Sequence, residues 1–269
     1  MRHLLSATTG LALMLAAGPA LANRVFVTNE RSNDVTVLDG ETFEVIGTYP
    51  VGNRPRGITI SPDGTELYVC ASDDNLVRVF NPETMEEMHT LPSGPDPELF
   101  VLHPSGNPLF IANEDDNIVT VVDTKTHQML AEVPVGVEPE GMGVSPDGKV
   151  VINTSETTNM AHFIDTETFQ ITANVLVDSR PRFAQYTADG TKLYVTSEIG
   201  GTVSVIDPAT QTITKKISFD IPGVLPEAIQ PVGARVTSDG SKLFVALGPA
   251  NRVAVIDATT DEVTDYLPV

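Results

Sequence analysis

The run Ser61-Pro62-Asp63-Gly64 returns as Ser145-Pro146-Asp147-Gly148, and worn forms of it stand at 103–106, 187–190 and 237–240 as HPSG, TADG and TSDG. Their third residues, at 63, 105, 147 and 189, lie 42 residues apart, and the last, at 239, follows after 50. A fixed period of about 40–45 residues with strand chemistry is typical of a β-propeller, in which each period forms one four-stranded blade. The sequence therefore predicts one repeated unit, with an insertion before its last copy.

A second series of residues keeps the same spacing, and its members are Asp39, Asn81, Asp123, Asp165, Asp207 and Asp257. Each follows an apolar run and opens a turn, where its side chain can accept backbone hydrogen bonds. In the unit at 98–134, we expect strands at 98–102, 109–112, 118–122 and 130–135. The Ser-Pro-Asp-Gly runs then form the turn between the first and second strands, because proline fixes φ and glycine supplies a positive φ.

The ends of the chain are out of phase with these units. Residues 25–27 read as the second strand of a blade, so the first blade begins without its innermost strand. The chain stops at Val269, at the end of a fourth strand. We therefore expect an all-β propeller with six nearly complete blades, truncated at its C-terminus, and seven blades in a full-length relative.

The first 22 residues have the pattern of a secretory signal peptide. Residues 1–3 supply positive charge, 4–18 are apolar and small, and Ala20-Leu21-Ala22 fits a cleavage site. A short membrane anchor is the alternative, but the apolar stretch falls short of the roughly 20 residues that a spanning helix needs. We expect residues 1–22 to be removed and a propeller domain at 23–269 to be exported to the periplasm, without a membrane span.

The chain is strongly acidic, with 36 Asp and Glu against 16 Lys and Arg and a net charge of −20. Such a surface repels phosphate backbones and anionic lipid, which excludes nucleic acid as a partner. Cations, metals or a basic protein surface would be favoured, although solubility alone also accounts for the charge. The single cysteine, Cys70, lies in a strand pattern and is expected to be buried and unreactive.

Because the repeat is regular, equivalent residues can be assigned to the mouth of the central channel. The residue after the proline that opens each innermost strand is Arg56, Glu98, Glu140, Arg182 and Val232. The residue that ends each second strand is Glu30, Ser72, Glu114, Glu156, Glu198 and Gly248. Within a blade, Glu98 should neighbour Glu114, Glu140 should neighbour Glu156, and Arg182 should neighbour Glu198.

The candidate ligand-binding residues are therefore Arg56, Glu98, Glu114, Glu140, Glu156, Arg182 and Glu198. Four of these, Glu98, Glu114, Glu140 and Glu156, are candidate ligands for a hard cation such as Ca²⁺, with further oxygens from Asp115, Asp116, Asn117 and Asn159. A solvated rim, in which arginines neutralise the carboxylates, is the alternative.

Two further features are interpreted from the pattern. Residues 219–230 contain the insertion and lengthen one loop at the same mouth, where they would either cover the channel, present an apolar knob to a partner, or pack on their own blade. His162 lies in a predicted third strand, and we expect it to be buried with one hydrogen bond.

Several segments carry a family resemblance, namely VFVTN (25–29), YVCASDDN (68–75), SGPDPELFVLHPSG (93–106), IANEDDNIVTVVD (111–123), VGVEPEGMGVSPDG (135–148), NTSETTNMAHFID (153–165), VDSRPRF (177–183), SEIGGTVSVID (197–207) and VALGPANRVAVID (245–257). Over the whole mature chain they resemble the YVTN-repeat, WD40-like propellers associated with PQQ-dependent catabolism. The resemblance implies a periplasmic, seven-bladed protein found beside quinoprotein alcohol oxidation, with PQQ association and a quinoprotein-pathway protein as partner.

Two functions follow from these observations. The chain has no tryptophan, on which the pockets of propeller quinoprotein dehydrogenases depend, so a PQQ-dependent catalyst of that kind is rejected. The first hypothesis is a non-enzymatic scaffold or binding protein of PQQ-dependent alcohol oxidation, with no required cofactor and no catalytic residues. The second is a metal-dependent small-molecule hydrolase of the propeller-lactonase kind.

Overall fold

The computed structural model describes residues 23–269, so the expected signal peptide at 1–22 lies outside the described residues. Residues 23–269 form 23 strands and two short 3₁₀ turns. The strands build six antiparallel sheets, which confirms the predicted all-β propeller architecture. Within this part of the chain, the structure contains no helix with the length and apolar character that crossing a bilayer requires.

The first blade has three strands and each of the other five has four, as the strand count from sequence predicted. Within each sheet the strands pair in chain order. The strands are β1 Arg24–Asn29, β2 Asp34–Asp39 and β3 Val45–Pro50 in blade 1; β4 Pro55–Ile60, β5 Leu67–Ala71, β6 Leu76–Phe80 and β7 Glu87–Pro92 in blade 2; β8 Pro97–Leu102, β9 Leu109–Asn113, β10 Ile118–Val122 and β11 Met129–Pro134 in blade 3; β12 Pro139–Val144, β13 Val150–Ser155, β14 Met160–Asp165 and β15 Ile171–Leu176 in blade 4; β16 Pro181–Tyr186, β17 Leu193–Ser197, β18 Thr202–Asp207 and β19 Thr212–Ser218 in blade 5; and β20 Pro231–Val236, β21 Lys242–Leu247, β22 Arg252–Asp257 and β23 Glu262–Pro268 in blade 6.

The core lies between successive blades. Every residue of β5, β9 and β17 is buried, because each of these strands has a neighbouring blade on both faces. Full burial of one such large side chain contributes about 1.5–3 kcal/mol, so these strands dominate the stability of the sheet stack. In contrast, β1 and β21 alternate between covered and exposed positions, with Val25, Val27 and Ala246 exposed.

Two sets of turns lie at the end of the blades opposite the channel mouth. The Ser-Pro-Asp-Gly runs join the first strand of a blade to the second, as predicted, with φ of 74° at Gly64 and 76° at Gly148. The Ser61 hydroxyl donates to Asp63 at 2.6 Å, which closes the turn. The turns of the Asp39 series join the third strand to the fourth. In each turn the side-chain oxygen of the series residue accepts the backbone N–H groups of the residues two and three positions later in the chain.

The buried positions expected for Cys70 and His162 are confirmed. Cys70 is enclosed within β5, and burial raises the pKa of its thiol well above the ordinary value, which makes it inert. His162 lies in β14, where its Nδ1 is 2.6 Å from Asn174 Oδ1 and its Nε2 accepts from the Gly136 N–H at 3.0 Å, so both ring nitrogens are hydrogen-bonded where one bond was expected. Burial lowers the pKa of His162 below the ordinary range.

The inserted segment 219–230 packs on the blades that it connects. Ile221 and Ile229 are buried in the apolar cluster between blades 5 and 6, with Phe219 and Val224 packed against it. Leu225 is the exception, with 72% of its surface exposed. Of the predicted alternatives, the structure therefore shows the packed segment, because these side chains bury more apolar area between two blades than they could over an open channel.

Candidate functional site

The channel mouth forms where each innermost strand begins and each second strand ends. The N–H of the residue at the end of the second strand donates to the carbonyl of the residue that precedes the opening proline. The pairs, with N···O distances of 2.8–3.1 Å, are Ser72–Arg54, Glu114–Asp96, Glu156–Glu138, Glu198–Arg180 and Gly248–Gln230. The two rings of residues assigned from the repeat therefore lie side by side in every four-stranded blade.

An asparagine of the preceding blade holds each of the first four segments in place. Its side-chain oxygen accepts the backbone N–H of the residue before the proline, at 2.9–3.1 Å. The pairs are Asn33–Arg54, Asn75–Asp96, Asn117–Glu138 and Asn159–Arg180. These asparagines have φ of 56–62°, a left-handed conformation that Asn tolerates better than most residues. We call them the peg asparagines.

The residue before the proline was not predicted as part of the mouth, although it is also charged in these four blades. Arg54, Asp96, Glu138 and Arg180 all have φ between 47° and 59°, and this conformation directs them toward the mouth beside the predicted ring. Their spacing of 42 residues was the signal that could have found them, since Arg-Pro-Arg, Asp-Pro-Glu, Glu-Pro-Glu and Arg-Pro-Arg follow one another at 54–56, 96–98, 138–140 and 180–182.

The arginines of blade 2 reach into the following blades. Arg54 lies 2.6 Å from Asp96 and 2.9 Å from Glu98 through its two Nη atoms. Arg56 contacts Glu98 and reaches Glu140, with Nη2 3.0 Å from Oε1. Both arginines also lie 3.2 Å from Glu30 of blade 1. Arg56 therefore binds the carboxylates of three blades and does not simply flank the cluster.

The arginines of blade 5 reach back into blade 4. Arg182 Nη2 is 3.0 Å from Glu140, and Nη1 contacts Glu156. Arg180 lies 2.8 Å from Glu156 and 3.2 Å from Glu198. The predicted neighbours Arg182 and Glu198 are 3.6 Å apart, so the shorter contacts of Arg182 cross between blades. The four expected metal ligands therefore fall into two pairs. Glu140 and Glu156 pair with the Arg182 guanidinium, whereas Glu98 and Glu114 lie on the blade 3 side.

Three carboxyl groups remain together on the blade 3 side, namely Asp96, Glu98 and Glu114, with one oxygen of each within 4.8 Å of the others. We call them the carboxylate triad. Glu98 is completely buried, and its Oε2 lies against Arg56 without a well-aligned hydrogen bond. Among residues 23–269, no Lys or Arg nitrogen lies within 4.0 Å of Glu114. Glu114 is thus the member of the triad whose charge is least compensated.

Electrostatics make this side of the mouth favourable for an additional cation. Burial, followed by the nearby Glu140 carboxylate, raises the pKa of Glu98 to about 9 despite Arg56. Burial also raises the pKa of Glu114 and of Glu156. A raised pKa means that the ionised, unpaired carboxylate is unfavourable at this position. Binding of either a proton or a cation relieves that unfavourable charge.

A pocket of about 370 Å³ opens beside the triad, between blades 3, 4 and 5. Its lining residues are Glu114, Glu138, Glu156, Thr157, Asn159, Ser179, Arg180 and Ile199. Carboxylates, hydroxyls, one guanidinium and one apolar side chain converge here, which suits a small oxygen-rich molecule.

Of the additional loop oxygens expected from sequence, Asn159 lines the pocket and Asn117 is a peg. Asp115 and Asp116 are exposed on the loop. Histidines lie elsewhere in the described part of the chain: His89 stacks on His127 at 4.2 Å, His103 occupies a turn at the opposite end, and His162 lines a separate outer pocket. Any proton transfer at the mouth would therefore use a carboxylate.

The comparisons with known proteins agree with this architecture. The family model described as "Lactonase, 7-bladed beta-propeller" matches residues 20–138. Curated proteins gave no match. A solved structure titled as hydrazine synthase of Kuenenia stuttgartiensis is similar with a TM-score of 0.83 and 21% identity, over 91% of this chain and 83% of that one.

A second similar structure is a functionally unknown protein from Desulfotomaculum acetoxidans, with a TM-score of 0.76 and 17% identity over 91% of this chain and 81% of that one. At these identities the structural likeness establishes the fold alone. Together with the family match it supports a β-propeller family for this chain.

Proposed function

We propose that the channel mouth binds a divalent cation, Ca²⁺ in the first instance, and with it a small oxygen-rich molecule in the adjoining pocket. The observation that carries the proposal is the carboxylate triad, in which buried Glu98 stands beside Asp96 and the uncompensated Glu114. Ca²⁺ takes six to eight oxygen ligands in flexible geometry, so three carboxylates and the oxygens of a ligand form a suitable set.

The same contacts set the strength of this binding. Arg54 already lies on both Asp96 and Glu98, so a cation must displace or share that guanidinium. A proton also competes, since the pKa of Glu98 is raised to about 9. We therefore expect modest affinity at neutral pH and tighter binding as the pH rises.

Calorimetric titration of the protein with CaCl₂ tests the proposal. We expect saturable binding at pH 8 that Glu114→Gln weakens at least about tenfold, because the substitution replaces one of the three carboxyl ligands by a neutral amide. The matched control is Glu262→Gln, which removes an equal charge at the opposite end of blade 6, where Glu262 contacts Lys215. Unchanged Ca²⁺ binding in Glu114→Gln, or equal loss in the control, would refute the proposed site.

Hydrolysis of a small lactone or ester is a second candidate function, favoured by the lactonase family match over residues 20–138. A divalent cation bound there would supply Lewis-acid polarisation of a carbonyl. Arg180 lines the pocket and could stabilise a developing oxyanion, while a carboxylate of the mouth would accept a proton.

A lactone panel with and without Ca²⁺ tests this second function, with Glu140→Gln and Glu114→Gln as variants and Glu262→Gln as control. Turnover that requires Ca²⁺ and is lost in the mouth variants supports hydrolysis. Cation binding without turnover leaves a binding protein.

The resemblance to PQQ-associated propellers favours that non-enzymatic form, as an exported scaffold or binding protein of quinoprotein alcohol oxidation. PQQ carries carboxylates that a bound cation would attract. Titration of PQQ into the Ca²⁺-loaded protein therefore tests whether the binding protein associates with this cofactor. Saturable PQQ binding that depends on Glu114 supports the association, and the absence of PQQ binding contradicts it.

A further inference from the structure

Below the mouth, the five innermost strands enclose a cavity of about 200 Å³. Its walls are contributed by equivalent residues of β4, β8, β12, β16 and β20, and they include Leu99, Val101, Met142 and Phe183. Gly57 and Gly143 let the next innermost strand approach closely, because a Cβ at either position would lie less than 3.0 Å from the carbonyl oxygen of Glu98 or of Ala184. The cavity is thus a chamber of mixed lining on the propeller axis, with Thr59, Gln185 and Tyr186 as polar side chains among apolar ones, and the carboxylates of the mouth do not line it.

One charged residue, Arg235 of β20, projects into this chamber and stays accessible to solvent there. In a chain with 36 acidic side chains, no Asp or Glu oxygen of residues 23–269 lies within 4.0 Å of its guanidinium. The pKa of Arg235 is lowered by burial, whereas carboxylate partners raise the pKa of Arg56 and Arg182 at the mouth. Arg235 is thus a solvent-accessible cation without a carboxylate partner among residues 23–269.

Neighbouring side chains hold this guanidinium in a fixed orientation. Its Cζ lies over the Phe183 ring, 4.8 Å from the centroid. Nη1 donates to Gln185 Oε1 at 3.1 Å and to the Ala234 carbonyl at 3.3 Å. In the described part of the chain, Nε and Nη2 donate no hydrogen bond. A stacked guanidinium with one free N–H edge is preorganised for a planar, bidentate anion.

We propose that Arg235, Gln185 and Phe183 form a binding site for a small organic monocarboxylate, whose carboxylate pairs with Arg235 and whose apolar body fills the chamber. The lining suits this class, because Leu99, Val101 and Met142 offer contact to the carbon atoms of such a ligand, which an inorganic anion lacks. Gln185 accepts from the guanidinium through Oε1 and donates through Nε2 to the Tyr186 carbonyl at 2.9 Å, which holds Arg235 in place for the carboxylate.

This site is independent of the proposed cation site. Arg235 is three residues further along its strand than the position equivalent to Glu98, which places it about 10 Å below the mouth at ~3.3 Å per residue. Ligand binding at Arg235 in calcium-free buffer therefore reports on this chamber alone.

The experiment is a titration of benzoate and of pentanoate into the protein, followed by saturation-transfer NMR and calorimetry in calcium-free buffer. Benzamide serves as the uncharged control ligand. We expect saturable binding of at least one carboxylate, at least about tenfold tighter than benzamide, because the charge-assisted, bidentate pair with the guanidinium is lost in the amide.

Three variants locate the site. Arg235→Gln should weaken carboxylate binding at least about tenfold, and Arg235→Lys should weaken it less, since the charge stays while the planar fork is lost. Arg252→Gln is the matched control, because Arg252 lies on the same blade and donates to the Asn251 carbonyl outside the chamber. Carboxylate binding that persists in calcium-free buffer and is lost in Arg235→Gln separates this proposal from the cation site.

The proposal is overturned if neither carboxylate binds saturably, or if both Arg235 variants bind as the wild type does. Far-UV circular dichroism of each variant verifies that the blades remain folded. If Arg235→Gln fails to fold, the affinity of Arg235→Lys for the carboxylates decides the proposal. Its charge and aliphatic stem preserve the packing on Phe183, so a loss of affinity reports the lost guanidinium.

Discussion

At the scale of single residues, the mouth is defined by carboxyl groups that burial keeps from ionising freely. Glu98 has no exposed surface, and its pKa is raised to about 9 by burial and by Glu140. Arg54 and Arg56 offset only part of this effect. The folded protein therefore binds a proton at this position more tightly than the unfolded chain does.

This proton affinity predicts a pH dependence of stability. Between the ordinary Glu pKa of 4.5 and the raised value of about 9, the folded state holds the extra proton, so the contribution of Glu98 to the free energy of unfolding falls as the pH rises. We expect Glu98→Gln, which stays neutral, to lose less stability than the wild type between pH 6 and pH 9.

Urea unfolding at pH 6, 7.5 and 9 measures this difference. Other titrating groups, including His89 and His162 with their lowered pKa values, are present in both proteins and cancel in the comparison. Glu262→Gln should follow the wild type at every pH. A constant difference between Glu98→Gln and the wild type across the three pH values would contradict the raised pKa.

At the scale of structural elements, the peg asparagines join successive blades. Asn75 and Asn251 are equivalent, with φ of 56° and 50°, but Asn75 accepts the Asp96 N–H at 3.1 Å. Within residues 23–269, the side chain of Asn251 makes one hydrogen bond, as donor to Pro249. The two residues therefore share their backbone strain and differ in the peg bond.

Replacement by alanine should separate these two contributions. Asn75→Ala loses a hydrogen bond worth about 1 kcal/mol in addition to the roughly 1 kcal/mol of strain that alanine suffers at positive φ. Asn251→Ala suffers the same strain and loses only the long, exposed hydrogen bond to the Pro249 carbonyl at 3.4 Å. We expect urea denaturation to show a larger loss of stability in Asn75→Ala, and calorimetry to show weaker Ca²⁺ binding, because Asp96 belongs to the carboxylate triad. Equal loss in the two variants would show that the peg bond contributes nothing.

The elements also show how far sequence reasoning extends. The period of 42 residues predicted the strands, the turns at Gly64 and Gly148, and the adjacency of Glu98 and Glu114, because equivalent residues occupy equivalent places. It did not predict the direction of Arg54 or the reach of Arg182 into blade 4. These depend on backbone φ and on the packing of neighbouring blades, which the spacing of one unit does not contain. The packing of Ile221 and Ile229 was likewise open, since it depends on the gap between two blades.

At the scale of the whole molecule, blades 5 and 6 are tied by a buried polar contact. The Tyr194 hydroxyl donates to Asp261 at 2.7 Å, and Lys192 lies 2.8 Å from the same carboxylate. Tyr68 occupies the equivalent position in blade 2 but donates to Glu66 of its own blade. The equivalent tyrosines thus make one contact between blades and one within a blade.

The paired substitutions Tyr194→Phe and Tyr68→Phe test the contribution of this tie. Tyr194→Phe should lower the free energy of unfolding by about 2 kcal/mol, because it removes a hydrogen bond to a buried charge. Tyr68→Phe should lower it by less than about 1 kcal/mol, since the half-buried Glu66 can be hydrated. Thermal and urea unfolding measure both. A larger effect at Tyr68 would contradict the assignment.

The peg bonds have a consequence for how such a chain can be recombined. A peg asparagine and the mouth residues that it positions belong to different blades, yet they lie 21 residues apart, as Asn75 and Asp96 do. The segment 75–116 therefore carries both partners of one peg bond, while a segment cut at the ends of a blade separates them. Duplication or exchange of modules with boundaries in the loop between the second and third strands would transfer a mouth charge together with its own support.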